Sequence, residues 1–242
     1  MKRLSLLLDE IAQIRTATDN NSFDPVYTGI IAETAGVQGL VCTYSGNKKG
    51  ISERDVRVLK ELCKTTFNLR IPLDQNSLHL ALSVAPDMVT FIDIPPGQAG
   101  KVGPVNPSLH MEDIERMVAD LEANNISTAL LVEPEINILR SISRVNIDYV
   151  ELSAHYYSHA PDTNDELIAL DKIRSAAVAA AKLGIGVNCS GGLTTECLYD
   201  LAQIPNLEDL IIGSDILSSA MNIGIEKSVK NAIEIIRSKE IN

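Results

Sequence analysis

The stretch IGVNCSGGLTTE, residues 185–196, and the stretch DLIIGSD, residues 209–215, decide the fold class of this chain. Each begins as a short apolar run and reaches glycine and serine where a helical pattern starts. Apolar runs without regular polar alternation are typical of strands that are buried on both faces of a parallel sheet. The two stretches therefore predict consecutive strand–helix units near the end of the chain.

Six similar apolar runs precede these two, and helical patterns fill the gaps between them. Pro25 near the first turn and Gly36 after the last are start and stop signals of one helix, and Ser52 is the expected N-cap of the next. The predicted strands are 4–8, 39–43, 67–71, 88–92, 127–132, 148–153, 185–189 and 209–212. The predicted helices are 24–35, 52–63, 74–84, 110–123, 135–143, 164–183, 194–202 and 223–237, with a short one at 216–221.

Eight strands, each followed by a helix through a right-handed crossover, predict an α/β protein of one domain, a (β/α)8 TIM barrel over residues 1–242. A doubly wound open sheet is the alternative. We see no linker or shift in composition that would divide the chain. One long segment rich in proline and glycine, about 93–108, follows the fourth strand and is expected to form an irregular loop on the rim of the barrel.

Composition excludes several classes of partner. The net charge of −11 argues against a nucleic-acid partner and against an anionic membrane surface. The apolar run 4–8 is broken by Asp9 and Glu10, and it is too short for a signal peptide or a membrane span. Four cysteines without a C-x-x-C pair predict free thiols in a reducing cytoplasm and no metal site; they are Cys42, Cys63, Cys189 and Cys197.

The loops after strands seven and eight are the expected ligand site. In barrels of this kind, phosphate commonly binds there at the start of a helix. Glycine lets the backbone approach an anion, and amides at a helix start point toward it. We therefore predict a phosphorylated small-molecule ligand held by Ser190, Gly191, Gly192, Gly213 and Ser214. The alternative is that the two adjacent glycines only turn the chain. Asp215 would repel a phosphate unless it points away or caps a helix.

Four segments resemble the pyridoxine 5′-phosphate synthase (PdxJ) family, and the resemblance covers nearly the whole chain. They are 24–36 (DPVYTGIIAETAG), 51–59 (ISERDVRVL), 187–194 (VNCSGGLT, similar to V-N-A-G-H-G-L-T) and 211–213 (IIG, similar to the start of N-I-G-H). The resemblance implies a barrel that condenses 1-deoxyxylulose 5-phosphate with 3-amino-2-oxopropyl phosphate, without a metal or an organic cofactor. It also implies homo-oligomers built on dimers.

The chain departs from this family at the residues that move protons. The resemblance places two family histidines and a family glutamate on Thr43, Gly191 and Arg70. Further family histidines and arginines fall on Glu10, Ser214, Thr18 and Ser45, whereas Asp9, Arg15 and Glu151 match the family. Each proton-transfer group contributes about 10²–10⁴ to a rate, and threonine does not replace a titrating imidazole. The family's condensation is therefore expected to be lost or altered.

Other side chains near the predicted strand ends are candidates for substitute roles. Asp9, Arg70, Glu151 and His155 are the candidate catalytic residues, with Glu10 and Asp93 as further carboxylates. His155 belongs to a segment, 153–159, that we expect to be a rim loop; an ordinary polar loop or a subunit contact is the alternative. The remaining candidates for substrate binding, which include the basic residues expected at the mouth, are Thr43, Ser45, Lys48 and Lys49.

Three hypotheses about function follow. The first is a diverged PdxJ-like barrel that binds a phosphorylated small molecule at the ends of strands seven and eight, with the condensation lost or altered. The second is a working pyridoxine 5′-phosphate synthase that uses relocated acid–base groups. The third is a non-catalytic subunit that assembles with an authentic synthase.

Overall fold

Eight parallel strands close into a barrel in the computed structural model, which describes residues 2–46, 50–95 and 101–240, with side chains up to residue 238. The strands are β1 (Arg3–Leu7), β2 (Gly39–Thr43), β3 (Thr66–Pro72), β4 (Met88–Ile92), β5 (Ser127–Val132), β6 (Tyr149–Ser153), β7 (Gly186–Ser190) and β8 (Leu207–Ile212). Strand β1 pairs with both β2 and β8. The pairing confirms the predicted barrel and excludes the open sheet.

Helices surround the barrel and connect its strands. In the described part of the chain they are α1 (Asp9–Thr18), α2 (Pro25–Ala35), α3 (Glu53–Leu62), α4 (Gln75–Val84), α5 (Pro107–Glu122), α6 (Ile136–Ile142), α7 (His155–Ser158), α8 (Thr163–Lys182), α9 (Thr195–Leu201), α10 (Ser214–Ile223) and α11 (Ile225–Glu240). None of the described helices is long and apolar enough to cross a membrane.

Local signals in the sequence explain where most helices begin and end. Pro25 lies in the first turn of α2, and Gly36 ends that helix with φ of +115°. The hydroxyl of Ser52 accepts a hydrogen bond from the Asp55 amide, and the Asp55 carboxylate accepts one from the Ser52 amide, a capping box at the start of α3. These boundaries agree with the sequence prediction to within one or two residues.

Three segments differ from the prediction. Helix α1 is not predicted, because its acidic first residues resemble the end of a strand. An ion pair of 2.6 Å between Arg15 and Asp55 joins this helix to α3. The expected rim loop 153–159 contains a helical turn, α7. Helix α5 begins at Pro107 and not at the predicted residue 110, because Asn106 caps it and Pro107 occupies its first turn.

The remaining irregular segment is anchored at both ends. Asp93 and Gly103 exchange two backbone hydrogen bonds of 2.9 and 2.8 Å, and the Val105 amide donates to the Leu131 carbonyl at 2.8 Å. Residues 101–104 are thereby held against the carboxyl ends of the strands, where the ligand site is expected.

The barrel interior contains polar side chains among its aliphatic ones. The Ser5 hydroxyl donates to Asp209 at 2.7 Å, and the Thr90 hydroxyl donates to Asn68 at 3.0 Å. All four are buried. Buried polar groups need such partners, since an unpaired one costs about 1–3 kcal/mol.

Candidate functional site

A cavity of about 530 Å³ opens at the carboxyl ends of the strands. It is bounded by the exits of β1, β3, β5, β6, β7 and β8 and by residues 101–104. Of the predicted site residues it brings together Asp9, Arg70, His155, Ser190, Gly191, Gly192, Gly213 and Ser214. Asp93 forms the backbone bridge already described, and among the described residues it is not part of the cavity wall.

The exit of β7 is a glycine turn that requires glycine at both positions. Gly191 and Gly192 have φ values of +111° and +68°. A Cβ on Gly191 would lie 3.1 Å from the His155 amide nitrogen, and one on Gly192 would lie 2.5 Å from the His159 ring. The Ser158 hydroxyl donates to the Gly191 carbonyl at 2.8 Å, so α7 fixes the turn.

The exit of β8 leads directly into a helix. Gly213 precedes α10, whose first residues border the cavity. The first amides of a helix have no acceptor within the helix and carry a partial positive charge. The Asp215 carboxylate accepts a hydrogen bond from the Thr195 amide at 3.0 Å. This carboxylate therefore bonds to the first turn of α9, whose N-cap is Thr194, and it does not belong to the described cavity wall.

Arg70 and Glu151 form an ion pair at the base of the cavity. One guanidinium nitrogen donates to Glu151 Oε1, and the Ser190 hydroxyl donates to the same oxygen. The two side chains are only 4% and 0% exposed. Glu151 lies below the cavity and is already neutralised, whereas Arg70 borders the cavity with a buried Nε that has no hydrogen-bond partner among the described residues.

Two adjacent carboxyl groups at the start of α1 have raised pKa values. Burial raises the pKa of Asp9, and hydrogen bonds from Thr43 with the charge of Arg70 oppose the rise only in part. The Thr43 amide donates to Asp9 at 2.7 Å. Burial and the charge of Asp9 raise the pKa of Glu10 to about 7. Glu10 therefore changes protonation near neutral pH, as an acid–base group requires.

Glu10 lines the cavity, and the sequence analysis gave it only secondary weight. Its position follows from α1, which the sequence analysis does not predict: a helix that begins at Asp9 places residues 9, 10 and 13 on one face, and all three line the cavity. The acidic pair just before a helical stretch was the available signal, since acidic residues favour the first turn.

His155 lies at the exit of β6 and is an imidazole of the cavity wall. Its ring packs against that of His159 with centroids 4.4 Å apart and the ring planes tilted by 39°. Burial, and then the charges of His159 and Lys101, lower its pKa. At neutral pH the ring is therefore mainly uncharged and is able to accept a proton.

Two of the other predicted substrate-binding residues, Thr43 and Ser45, do not belong to the described cavity wall. Thr43 and Ser45 are half-buried, and Thr43 holds Asp9 in place. Lys48 and Lys49 lie outside the described residues. Within the described ranges, no group of histidine, cysteine or acidic side chains has a geometry that could hold a metal ion.

Comparison with known proteins gives matches over nearly the full length. The family model described as "Pyridoxal phosphate biosynthesis protein PdxJ" matches residues 4–238. A pyridoxine 5′-phosphate synthase of Geotalea daltonii is 30% identical over 237 residues, which is 98% of this chain and 99% of the relative. A protein of the same name from Synechococcus sp. is 29% identical and covers 95% of this chain and 96% of its own length.

Solved structures with low sequence identity share the fold. The N-(5′-phosphoribosyl)anthranilate isomerase of Pyrococcus furiosus superposes with a TM-score of 0.64 at 14% identity, over 98% of this chain and 100% of its own. The thiamine phosphate pyrophosphorylase of the same organism gives a TM-score of 0.63 at 15% identity, over 98% and 96%. At these identities the likeness concerns the barrel alone.

Proposed function

The chain belongs to the PdxJ family, and from this we propose that it binds a phosphorylated small molecule in the cavity without carrying out the family's condensation. The observation that carries the proposal is that the glycine turn after β7 and the start of α10 after β8 border one cavity of about 530 Å³. Such a space suits a small ligand, because ligand pockets usually measure about 300–1,000 Å³.

Three features support a phosphate as the bound group. Gly191, Gly192 and Gly213 line the cavity and have no side chains of their own, and the Glu10 carboxyl group lies against Gly213. The start of α10 supplies amides and a positive dipole end. Arg70 adds a buried N–H donor that has no partner in the part of the chain that the structure describes, and Lys101 adds a further cation to the wall. An anion in the cavity would accept hydrogen bonds from these donors.

The proposed loss of the condensation rests on the groups that border the cavity. The reaction has to move several protons, and in this chain Thr43, Arg70 and Gly191 stand where the resemblance places the family's proton-transfer groups. A guanidinium group carries donors and no acceptor, so Arg70 does not offer the proton acceptor that the family's glutamate would supply. Glu151 is already bonded to Arg70 and Ser190 and does not line the cavity.

An assay with the two family substrates tests this proposal. We expect the purified protein to form pyridoxine 5′-phosphate at least ~10⁴-fold more slowly than the Geotalea daltonii relative, because more than one proton-transfer group is missing. Product is measured by chromatography, and the relative is the positive control. A rate within about tenfold of the relative would contradict the proposal.

One observation favours the second candidate function, a synthase with relocated acid–base groups. Glu10, with a pKa of about 7, and His155, with a lowered pKa, both border the cavity. A carboxyl group with a raised pKa and an imidazole with a lowered one are candidates for an acid and a base. The same assay decides between the two functions, since the second requires turnover that falls when either residue is replaced.

We also propose, from the family resemblance, that the chain forms homo-oligomers built on dimers in the cytoplasm. The four cysteines are unpaired, as a reducing compartment favours. Light scattering on the purified protein measures the oligomer, and mixing it with an authentic synthase tests co-assembly. A monomer at all concentrations would contradict the first of these proposals.

A further inference from the structure

The carboxyl group of Glu10 occupies space beside Gly213 that a bound anion would need. A Cβ on Gly213 would lie 2.8 Å from Glu10 Oε2 and 3.1 Å from Oε1. The Ser214 amide faces the same carboxyl group and lowers its pKa by a small contribution. Glu10 thus stands at the β8 exit, where the proposed ligand would place its phosphate.

Glu10 Oε2 is buried and has no hydrogen-bond partner among the described residues. A buried carboxylate oxygen without a partner is costly, whereas a protonated carboxyl group carries an O–H that can donate to a ligand. The atom is therefore placed to donate to an anion that enters the cavity.

Charged and titratable side chains surround Glu10 on the helices, strand and loops that border this part of the cavity. Asp9 on α1 is negative and raises its pKa, whereas Arg70 on β3 is positive and lowers it. Glu133 after β5, His155 on α7 and Lys101 line the same cavity. Asp215 on α10 is bonded to the Thr195 amide. Carboxylates predominate, so a second negative charge beside an ionised Glu10 would be repelled.

We propose that Glu10 determines which charge state the site accepts: a phosphate binds at the β8 exit only when the Glu10 carboxyl group is protonated and donates a hydrogen bond to a ligand oxygen. This inference rests on the proposed function, because it concerns the same cavity. It makes Glu10 a specificity-determining residue, and binding is coupled to the uptake of one proton.

The pH dependence follows from the pKa of Glu10, which is about 7. Below that pH the group is neutral and binding needs no further proton. Above it the group is charged, and each pH unit costs up to a factor of ten in affinity. Between about pH 6 and about pH 8 the protonated fraction falls about tenfold, and the affinity for an anion of constant charge should fall by the same factor.

Calorimetric titration with inorganic sulfate and inorganic phosphate tests the inference. Sulfate keeps its charge over this pH range, so a change in its affinity reports on the protein. We expect wild type to bind sulfate about tenfold more weakly at about pH 8 than at about pH 6. Glu10→Gln, whose amide donates at every pH, should change less than about threefold. Glu61→Gln on the exposed face of α3 is the matched control and should behave as wild type.

The proton balance gives a second measurement. Titrations of wild type in two buffers with different ionisation enthalpies should show nearly one proton taken up per sulfate at about pH 8, and Glu10→Gln should show none. His155 also titrates, but its contribution remains in both proteins and cancels in the comparison.

The outcomes separate the two proposals. Equal pH dependence and equal proton uptake in wild type and Glu10→Gln, with measurable binding, would overturn the role of Glu10 and leave the proposed function standing. A lack of binding of both anions to both proteins at both pH values would overturn the proposed function together with this inference. If Glu10→Gln binds sulfate more tightly than wild type at about pH 8 but not at about pH 6, both proposals are supported.

Discussion

Arg70→Met is expected to lower the free energy of unfolding by about 3–5 kcal/mol, because it leaves Glu151 charged and unpaired in the barrel. Glu151 is 0% exposed, and its remaining donor is the Ser190 hydroxyl. Methionine has a similar length, so the change removes the charge and little of the packing. Denaturation by urea, followed by circular dichroism, measures the loss.

Two further variants test whether the broken Arg70–Glu151 ion pair causes the loss of stability. Arg57→Met removes the cation of an ion pair with Glu53 whose side chains are about half exposed, and it should cost no more than about 0.5 kcal/mol. Replacing both Arg70 and Glu151 by methionine should recover most of the loss, since no unpaired charge remains. A loss below about 1 kcal/mol for Arg70→Met would show that Glu151 is not held as a charged group.

Gly213→Val is expected to weaken the binding of a small phosphate ester about 10- to 100-fold while the barrel stays folded. The added side chain would collide with the Glu10 carboxyl group and press on Leu7, so it would take the space at the start of α10 and force Glu10 to move. The ligand would then lose one charge-assisted hydrogen bond from the backbone, which contributes about 1.5–3 kcal/mol. Titration calorimetry with glycerol phosphate measures the affinity.

The control for this variant lies on the same helix. Asn222→Val changes an exposed residue near the far end of α10 and should leave the affinity unchanged. Thermal unfolding of both variants identifies any loss of fold. If Gly213→Val is folded and binds the ester as wild type does, the ligand does not use the β8 exit.

The strands were predictable from the sequence because each is a local apolar run. A run such as that of β4 is buried on both faces, and no tertiary information is needed to recognise it. Helix ends marked by a cap, as at Ser52 and Gly36, were equally local. Helix α1 has a weakly amphipathic pattern and no side-chain cap, so its signals were too weak for recognition.

The residues of the predicted phosphate site could be named from the sequence because glycine turns at strand ends are also local signals. The pairing of Arg70 with Glu151 joins residues 81 apart in the chain, and no local pattern specifies it. The position of Glu10 against Gly213 depends on how α1 packs beside α10. Its raised pKa depends on burial in that packed state, so the sequence could name the residue but could not give it a role.

The most direct test of the proposed site is a crystal structure of the protein grown with glycerol phosphate at a pH near 6, where Glu10 is mainly protonated. The account predicts tetrahedral density between the Gly191–Gly192 turn and the Gly213–Ser214 helix start, within hydrogen-bond distance of backbone amides from both. Density for the phosphate elsewhere on the barrel, or an open cavity without a phosphate at a saturating concentration, would contradict it.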